Sequence, residues 1–371
     1  MNKQFVPILA ILFFALIHFA CNMENENKIP ETPSTVLNEF VSEAKHQYIN
    51  LDLYKLNHQK ITDDNIIFKL NFNNEPNNAL MGHLTKYTFF NFRFFIYDTE
   101  VKSIFGIDTA GVVEGPLTTQ GRGPGEHISV GNIKSNKHFI YATDAFNGRI
   151  NLYSHKLVPK TSLQGFTSLF EIDLNDNIIL TVNQKSIGIN PLDANQGVIA
   201  ISSIADLTDT LATIFPRIIP EGYQPAMYNI PKFSVNSNNL IIAMYQFLPW
   251  IFIYDEDYNH QISLIFEYSK FDKMDIPKMD FFKELDNEGF GGDFPFTGLK
   301  IMQNNHIFLY MGSELIHLIP SDGSYEIAGK YIFTIEGEQK PVWISDIFSG
   351  MSENEYFIGS WYKIFRFKTV N

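Results

Sequence analysis

Residues Gln120 to Ser154 read QGRGPGEHISVGNIKSNKHFIYATDAFNGRINLYS, a glycine-rich loop followed by two strand-like runs. Three glycines and a proline fall within Gly121 to Gly125, a composition typical of a tight loop, because glycine adopts positive φ at no steric cost. Asn147-Gly148 is a hairpin signal between the runs around Tyr141 and Ile150. The stretch therefore predicts a loop that leads into an antiparallel β-hairpin.

Short β-branched or aromatic runs bounded by turn residues recur along the rest of the chain. The run Ile251 to Tyr254 is apolar throughout, which requires burial on both faces, as in sheets stacked around a ring. In a two-layer sandwich each sheet keeps one wet face. Six runs share an apolar strand that ends near Tyr or Asp, and they lie at Phe95–Asp98, Ile140–Asp144, Ile178–Leu180, Phe252–Asp255, Ile307–Tyr310 and Tyr356–Ile358.

We therefore predict one all-β domain, a six-bladed β-propeller, over residues 48–371. The six runs are roughly 40 to 75 residues apart, which fits repeats of about 40–50 residues with insertions. A seven-bladed propeller is the runner-up to this prediction, and a two-domain β-sandwich ranks third. Helical signals are few, with short candidate helices at Ser34–Tyr48 and Ile276–Leu285. Strands are expected at Phe89–Tyr97, Phe139–Tyr141, Ile150–Tyr153, Ile178–Val182, Leu240–Tyr245, Trp250–Tyr254, His306–Tyr310, Leu315–Ile319, Tyr331–Ile335, Tyr356–Ile358 and Trp361–Phe367.

The first twenty residues have the pattern of a targeting segment. Lys3 precedes the apolar run Phe5–Ala20, which is too short for a membrane-spanning helix and is typical of a signal peptide. Ala20 and the sole cysteine, Cys21, resemble a bacterial lipoprotein signal, in which the cysteine carries lipid. A secretory signal with an incidental cysteine is the alternative. Residues 1–20 are then the signal, and 21–47 are the lipidated cysteine, a flexible tether and the candidate helix.

Location and charge limit the partners. The acidic residues Glu24 and Glu26 after the cysteine accompany surface export in some lipoproteins, so we expect a lipid-anchored envelope protein, on the periplasmic side of the outer membrane or on the cell surface. The chain has 28 Lys and Arg against 41 Asp and Glu, a net charge of −13, which disfavours a nucleic-acid partner. One cysteine excludes an internal disulfide and a thiolate metal cluster.

The stretch Gln120 to Ser154 resembles the NHL-type propeller repeat, and more closely the six-bladed propeller lipoproteins of the TolB-like group. His127 departs from the aromatic residue usual there. The resemblance implies a six-bladed fold and an envelope location, in a group whose members mostly lack a known activity. It is carried by Gly121-Arg122-Gly123-Pro124-Gly125-Glu126, Ile140-Tyr141, Asp144, Asn147 and Arg149.

Four residues are candidate ligand or partner contacts. Arg122 and Glu126 are the only charged side chains of the first glycine-rich loop, Gly121–Glu126. Asp293 and Phe294 lie in a second glycine-rich loop, Asp286–Thr297. A structural role in turns is expected for Gly121, Gly123, Pro124, Gly125, Asp144, Asn147 and Arg149.

We expect a binding module for a protein or an extracellular ligand rather than an enzyme. No cofactor motif is present, and Asp255–His260 lacks the glycine and glutamate of a calcium loop. The long segments 183–239 and 256–305 would supply binding loops with aromatics such as Tyr223 and Phe290. The alternative is a hydrolase, lactonase or lyase with a central metal.

Overall fold

Six small sheets, each of four or five strands, make up the structure. Within the residues that it describes there is no α-helix, only single 3-10 turns at Leu51–Leu53, Asp63–Asn65, Ala145–Asn147 and Phe271–Lys273. The predicted six-bladed β-propeller is therefore confirmed. The computed structural model describes residues 45–69, 84–164, 171–183, 185, 196–206, 209–217, 231–246, 248–273, 295–352, 354–360 and 363–369.

Three strands precede the first blade. Each blade is then built from strands that are consecutive in the chain, and the first of them is the innermost strand of the ring. The first three are β1 (Lys45–Asn50), β2 (Leu56–Ile61) and β3 (Ile66–Lys69). Blade 1 has β4 (Leu84–Phe90), β5 (Arg93–Asp98), β6 (Ser103–Asp108) and β7 (Val113–Glu114); blade 2 has β8 (Val130–Ser135), β9 (Ile140–Asp144), β10 (Arg149–Tyr153) and β11 (Pro159–Gln164); blade 3 has β12 (Ile172–Leu174), β13 (Ile178–Val182), β14 (Ile199–Ser203) and β15 (Thr210–Ile214). Blade 4 has β16 (Lys232–Val235), β17 (Ile241–Met244), β18 (Trp250–Tyr254) and β19 (His260–Glu267); blade 5 has β20 (Gly298–Ile301), β21 (Ile307–Met311), β22 (Glu314–Ser321) and β23 (Ser324–Ile335); blade 6 has β24 (Asp346–Ser349), β25 (Glu355–Gly359) and β26 (Lys363–Lys368).

The N-terminal strands close the ring from outside. β3 pairs antiparallel with β26 and supplies the fourth strand of blade 6, while β1 and β2 add parallel fifth strands to β19 and β23. Residues 45–48 thus lie in a strand, so the predicted helix over Ser34–Tyr48 is wrong for its last four residues, because a blade edge satisfies their backbone groups. The rest of that helix, the helix at Ile276–Leu285, the signal and the tether lie outside the described residues.

The apolar core is divided into six clusters, one between each pair of neighbouring blades. Strand β18 illustrates why. Successive side chains of a strand point to opposite faces, so Phe252 and Tyr254 pack towards blade 3 while Ile251 and Ile253 pack towards blade 5. The continuous apolar run predicted to be buried on both faces is buried in this way.

One predicted strand and the equivalence of the six runs need correction. The run Phe89–Tyr97 is not one strand but the β4–β5 hairpin, because Asn91 and Phe92 both adopt positive φ (49° and 62°) and reverse the chain. The run Phe252–Asp255 belongs to the third strand of blade 4, whereas the other five runs lie in the second strands of their blades. This shift adds to the irregular spacing of the six runs.

Candidate functional site

The inner strands surround a central channel. They contact one another in the order β4, β8, β12, β16, β20, β24 and back to β4. Strands alternate in direction within each blade, so the chain begins every inner strand at the same end of the ring. Each inner strand contributes one charged residue to the channel, and these are Lys86, Lys134, Asp173, Lys232, Lys300 and Asp346, with Glu171 just before β12.

Asp173 is the centre of the channel's charge network. Its carboxylate lies 3.5 Å from Lys134 Nζ and 3.4 Å from Lys300 Nζ. The Ser234 hydroxyl donates to it at 2.8 Å and the Val235 amide at 3.1 Å. Burial raises the pKa of Asp173, but the two ammonium groups and the two donors outweigh burial and hold the pKa below its ordinary value. Asp173 is therefore an anion that joins blades 2, 3, 4 and 5.

The other channel charges are less fully matched. Lys232 pairs with Glu171 at 2.5 Å. Asp346 Oδ1 accepts from its neighbour Ile347 N at 2.8 Å and from the Tyr310 hydroxyl at 3.3 Å. Lys86 forms no ion pair within 4 Å among the described residues.

The environment of Lys86 disfavours its charge. Burial is the largest influence and lowers the pKa of Lys86, while the charge of Glu171, the next largest, raises it. The charges of Lys232 and Lys134 lower the pKa further, and that of Asp346 raises it, so the pKa lies below its ordinary value. Its partly buried ammonium is therefore influenced by two cations and two carboxylates, and it forms no ion pair within 4 Å with any described residue.

Two cavities lie along the channel, and Tyr87, Lys134 and Lys300 line both of them. The cavity where the inner strands begin has a volume of about 100 Å³, and its lining includes Lys86 and Lys232. We call this end of the channel the lysine end. The cavity where the inner strands finish has a volume of about 240 Å³ and includes Asp173 and Met302.

A chain of asparagines surrounds the second end, which we call the asparagine end. Asn136, Asn175 and Asn236 each follow an inner strand, and their side-chain oxygens accept from amides of their own turns at 2.8–3.1 Å. Their amide nitrogens donate to the next blade, from Asn136 to the Asn175 carbonyl (3.0 Å), from Asn175 to the Asn236 carbonyl (2.7 Å) and from Asn236 to Asn305 Oδ1 (2.7 Å). The chain fixes blades 2 to 5 to one another.

The first glycine-rich loop, Gly121–Glu126, lies at the lysine end but outside the channel. It connects blade 1 to blade 2, and the side chains of β10 bind its carbonyls. Glu126 Oε2 accepts from the Gly123 amide at 2.7 Å, and a Cβ on Gly121 would lie 2.0 Å from that carboxylate. Arg149 donates to the carbonyls of Arg122, Gly123 and Glu126 at 3.2, 3.0 and 2.7 Å, Tyr153 donates to Gly125 at 2.9 Å, and Asn147 donates to Asp144 at 2.6 Å.

The remaining residues named in the sequence analysis divide into three groups. Arg122 is exposed at the tip of the loop, and Pro124 is exposed beside it. The acidic turn after β18 is held by Asp255, which accepts from the amides of Asp257 and Asn259 at 3.0 and 2.8 Å. Cys21, Asp293, Phe294, Tyr223 and Phe290 lie outside the described residues.

The channel residues were not predicted from the sequence. The signal in the sequence was a short strand with one charge before each turn, as in Leu84–Phe90, Lys232–Val235 and Gly298–Ile301. It becomes visible only once the blades are in register. Within the described residues, no three His, Cys, Asp or Glu residues are grouped as metal ligands, and no helix there is long and apolar enough to span a membrane.

Comparisons with known proteins extend to the fold alone. No protein-family model matches the chain, and no curated protein does. The chain is similar to a protein from Bacteroides fragilis named as exported (TM-score 0.53, 13% identity, 85% of this chain and 88% of that one). It is also similar to a member of the DUF4221 family from Bacteroides vulgatus (TM-score 0.52, 9% identity, 82% and 96%). Virginiamycin B lyase from Staphylococcus aureus matches less well (TM-score 0.41, 11% identity, 81% and 86%).

Proposed function

We propose that this protein is an exported binding propeller that takes its ligand or partner at the lysine end of the channel. The observation that carries the proposal is that the partly buried Lys86 ammonium forms no ion pair within 4 Å with any described residue. An unmatched buried charge costs stability, so it serves the fold poorly and suits a site that a ligand completes. Functional residues commonly depart from the rules that stabilise a scaffold.

Exposed side chains support the choice of end. Phe146, in the turn between β9 and β10, is 76% exposed, and Trp343, in the connection between blades 5 and 6, is 48% exposed. Both segments lie at the end where the inner strands begin, as does Arg122. Aromatic residues and arginine are the side chains that most often dominate binding energy at interfaces.

The metal-dependent alternative lacks a supporting observation. In the described channel, Asp173 and Glu171 are paired with lysines and Asp346 accepts from Tyr310. These carboxylates face cations and donors, an arrangement that would repel a metal ion rather than bind it.

A pair of photoreactive variants tests which end binds. Phe146→benzoylphenylalanine places the probe at the lysine end, and Phe92→benzoylphenylalanine places the same probe in an exposed turn at the asparagine end. After irradiation of intact cells, we expect adducts of defined mass from position 146 and none of comparable yield from position 92. Equal yields, or adducts from position 92 alone, would contradict the proposal.

We further propose that the chain reaches the envelope as a lipoprotein anchored through Cys21. The sequence pattern at Ala20-Cys21 supports this, as does the resemblance of the Gln120–Ser154 stretch to TolB-like propeller lipoproteins. Cys21→Ala should release a soluble form or leave an uncleaved precursor, while Asn22→Ala should fractionate with membranes. A wild type that fractionates as soluble would overturn the anchor.

A further inference from the structure

The cavity at the lysine end has the chemistry of an anion site. We propose that it binds one small oxyanion group, a carboxylate or a phosphate, seated on the Lys86 ammonium beside Lys232 and Ser345. The inference rests on the proposed function, because it names the chemical class of the ligand at that same end.

The side chains that line the channel carry more positive than negative charge. The channel residues comprise four lysines against the three carboxylates Glu171, Asp173 and Asp346. This excess of positive charge lies inside a chain whose net charge is −13. A local field opposite in sign to that of the whole molecule favours anions at this cavity.

Two donors at this cavity, from Lys86 and Ser345, have no partner among the described residues. Lys86 has no ion pair among the described residues, and the buried hydroxyl oxygen of Ser345 has no hydrogen-bond partner there. Both residues line the same cavity. Most buried polar atoms in proteins have a partner, and an oxyanion would accept from both of these donors at once.

The volume of the cavity at the lysine end limits what it can hold. A volume of about 100 Å³ equals roughly three water molecules at about 30 Å³ each. Such a space accommodates a single charged group rather than a whole sugar or nucleotide. Any larger body of the ligand would extend out of the channel at this end.

The charges farther along the channel, towards the asparagine end, would not favour a bound anion. Lys134 and Lys300 are already paired with Asp173, whose negative charge would repel a second anion. Lys232 is held by Glu171. Lys86 is therefore the cation with the most to gain from a ligand, and its neutralisation would also relieve its repulsion from Lys232 and Lys134.

The test is isothermal titration of the purified full chain with inorganic phosphate, acetate and glycerol 3-phosphate. We expect saturable binding of at least one probe at one site. Lys86→Met should weaken that binding about thirtyfold or more, because a buried charge partner is lost. Ser345→Ala should weaken it about three- to tenfold. Lys86→Arg, which keeps the charge, should retain binding.

The matched control is Lys137→Met, which removes a lysine that is 59% exposed and pairs with Asp176 beside the asparagine end. It should change the dissociation constant by less than about twofold, because exposed charges are screened. Tighter binding of glycerol 3-phosphate than of phosphate would assign the group to a larger ligand, and equal binding would assign it to a free anion.

Two results would overturn the inference. One is the absence of saturable binding by all three probes, and the other is equal weakening in Lys86→Met and Lys137→Met, which would mean a general salt effect. If the probes fail while adducts still form at position 146, the anion site is refuted and the proposed function stands. If the probes bind but no adducts form at either end, the anion site stands and the wider binding role is refuted.

Discussion

The two ends of the channel use the same six inner strands in different ways. At the asparagine end, Asn175 and Asn236 use both their oxygens and their nitrogens, and each joins its own turn to the next blade. At the lysine end, Lys86 and the Ser345 hydroxyl remain unmatched among the described residues. One end has the bonding expected of a scaffold, and the other retains donors that its own fold does not use.

The difference shows how to separate stability from function in this ring. Matched hydrogen bonds rigidify a structure, whereas a buried group without a partner requires an explanation. Asp173 lies between the two ends and joins the lysines Lys134 and Lys300. Variants on either side of it should therefore behave in opposite ways.

The largest effect is expected at the Asp173 carboxylate itself. Asp173→Asn should lower the free energy of unfolding by about 3–5 kcal/mol, because it removes the anion that pairs with two buried ammonium groups. Urea unfolding measures this, with the exposed Asp176→Asn as the control that should lose less than about 1 kcal/mol. A loss for Asp173→Asn as small as that of the control would contradict the account.

The same carboxylate predicts a pH dependence. Its folded pKa is lower than 3.8, the ordinary value, so its stabilisation is complete well above pH 3.8 and disappears as the pH falls through the lower folded pKa. The gap in stability between wild type and Asp173→Asn should therefore be constant near neutrality and close at acid pH. A gap that persists in acid would mean that charge is not its cause.

At the asparagine end, Asn236→Ala removes two acceptor and two donor contacts. We expect a loss of about 2–4 kcal/mol, at roughly 1 kcal/mol for each net hydrogen bond. The exposed neighbour Asn238→Ala should lose less than about 0.5 kcal/mol. If the two variants unfold alike in urea, the asparagine chain does not stabilise the ring.

The asparagine end should also make stability sensitive to acid. His317 stacks on Phe308 at 4.4 Å and its Nε2 lies 2.9 Å from His306 Nδ1. Burial first, and the charge of His306 second, lower the pKa of His317 to about 3. The unfolded chain takes up the proton near pH 6.5, so stability falls as the pH drops from there towards 3.

His317→Phe should remove that proton uptake. The slope of unfolding free energy against pH should then decrease by up to about 1.4 kcal/mol per pH unit in this range. Urea unfolding at several pH values gives the slopes. Identical slopes in the wild type and the variant would show that another group accounts for the acid sensitivity.

Sequence patterns predicted the scaffold better than the site. Ile178–Val182 and Ile150–Tyr153 were identified because burial between blades leaves a short run that is mostly apolar and β-branched or aromatic. The strands Lys45–Asn50 and Leu56–Ile61 were missed because they lie on outer edges, where polar side chains remain in water. The turn at Asn91-Phe92 was missed because Phe is an unusual residue at positive φ.

The channel could not be predicted because its residues are distant in sequence. Lys86, Asp173 and Lys300 belong to three different blades, and each is one charge in an otherwise ordinary strand. The glycine-rich loop had the clearest sequence signal, yet Arg149 and Glu126 use their side chains to hold that loop. Its signal reflects a demanding local geometry.

On these grounds Lys86 serves a ligand and not the fold. Urea unfolding of Lys86→Met, without added anions, tests it most directly. Because methionine removes a partly buried, unpaired charge at nearly constant length, we expect the variant to match the wild type or exceed it by about 1 kcal/mol. A loss of more than about 1 kcal/mol would make Lys86 a structural cation and would contradict the account.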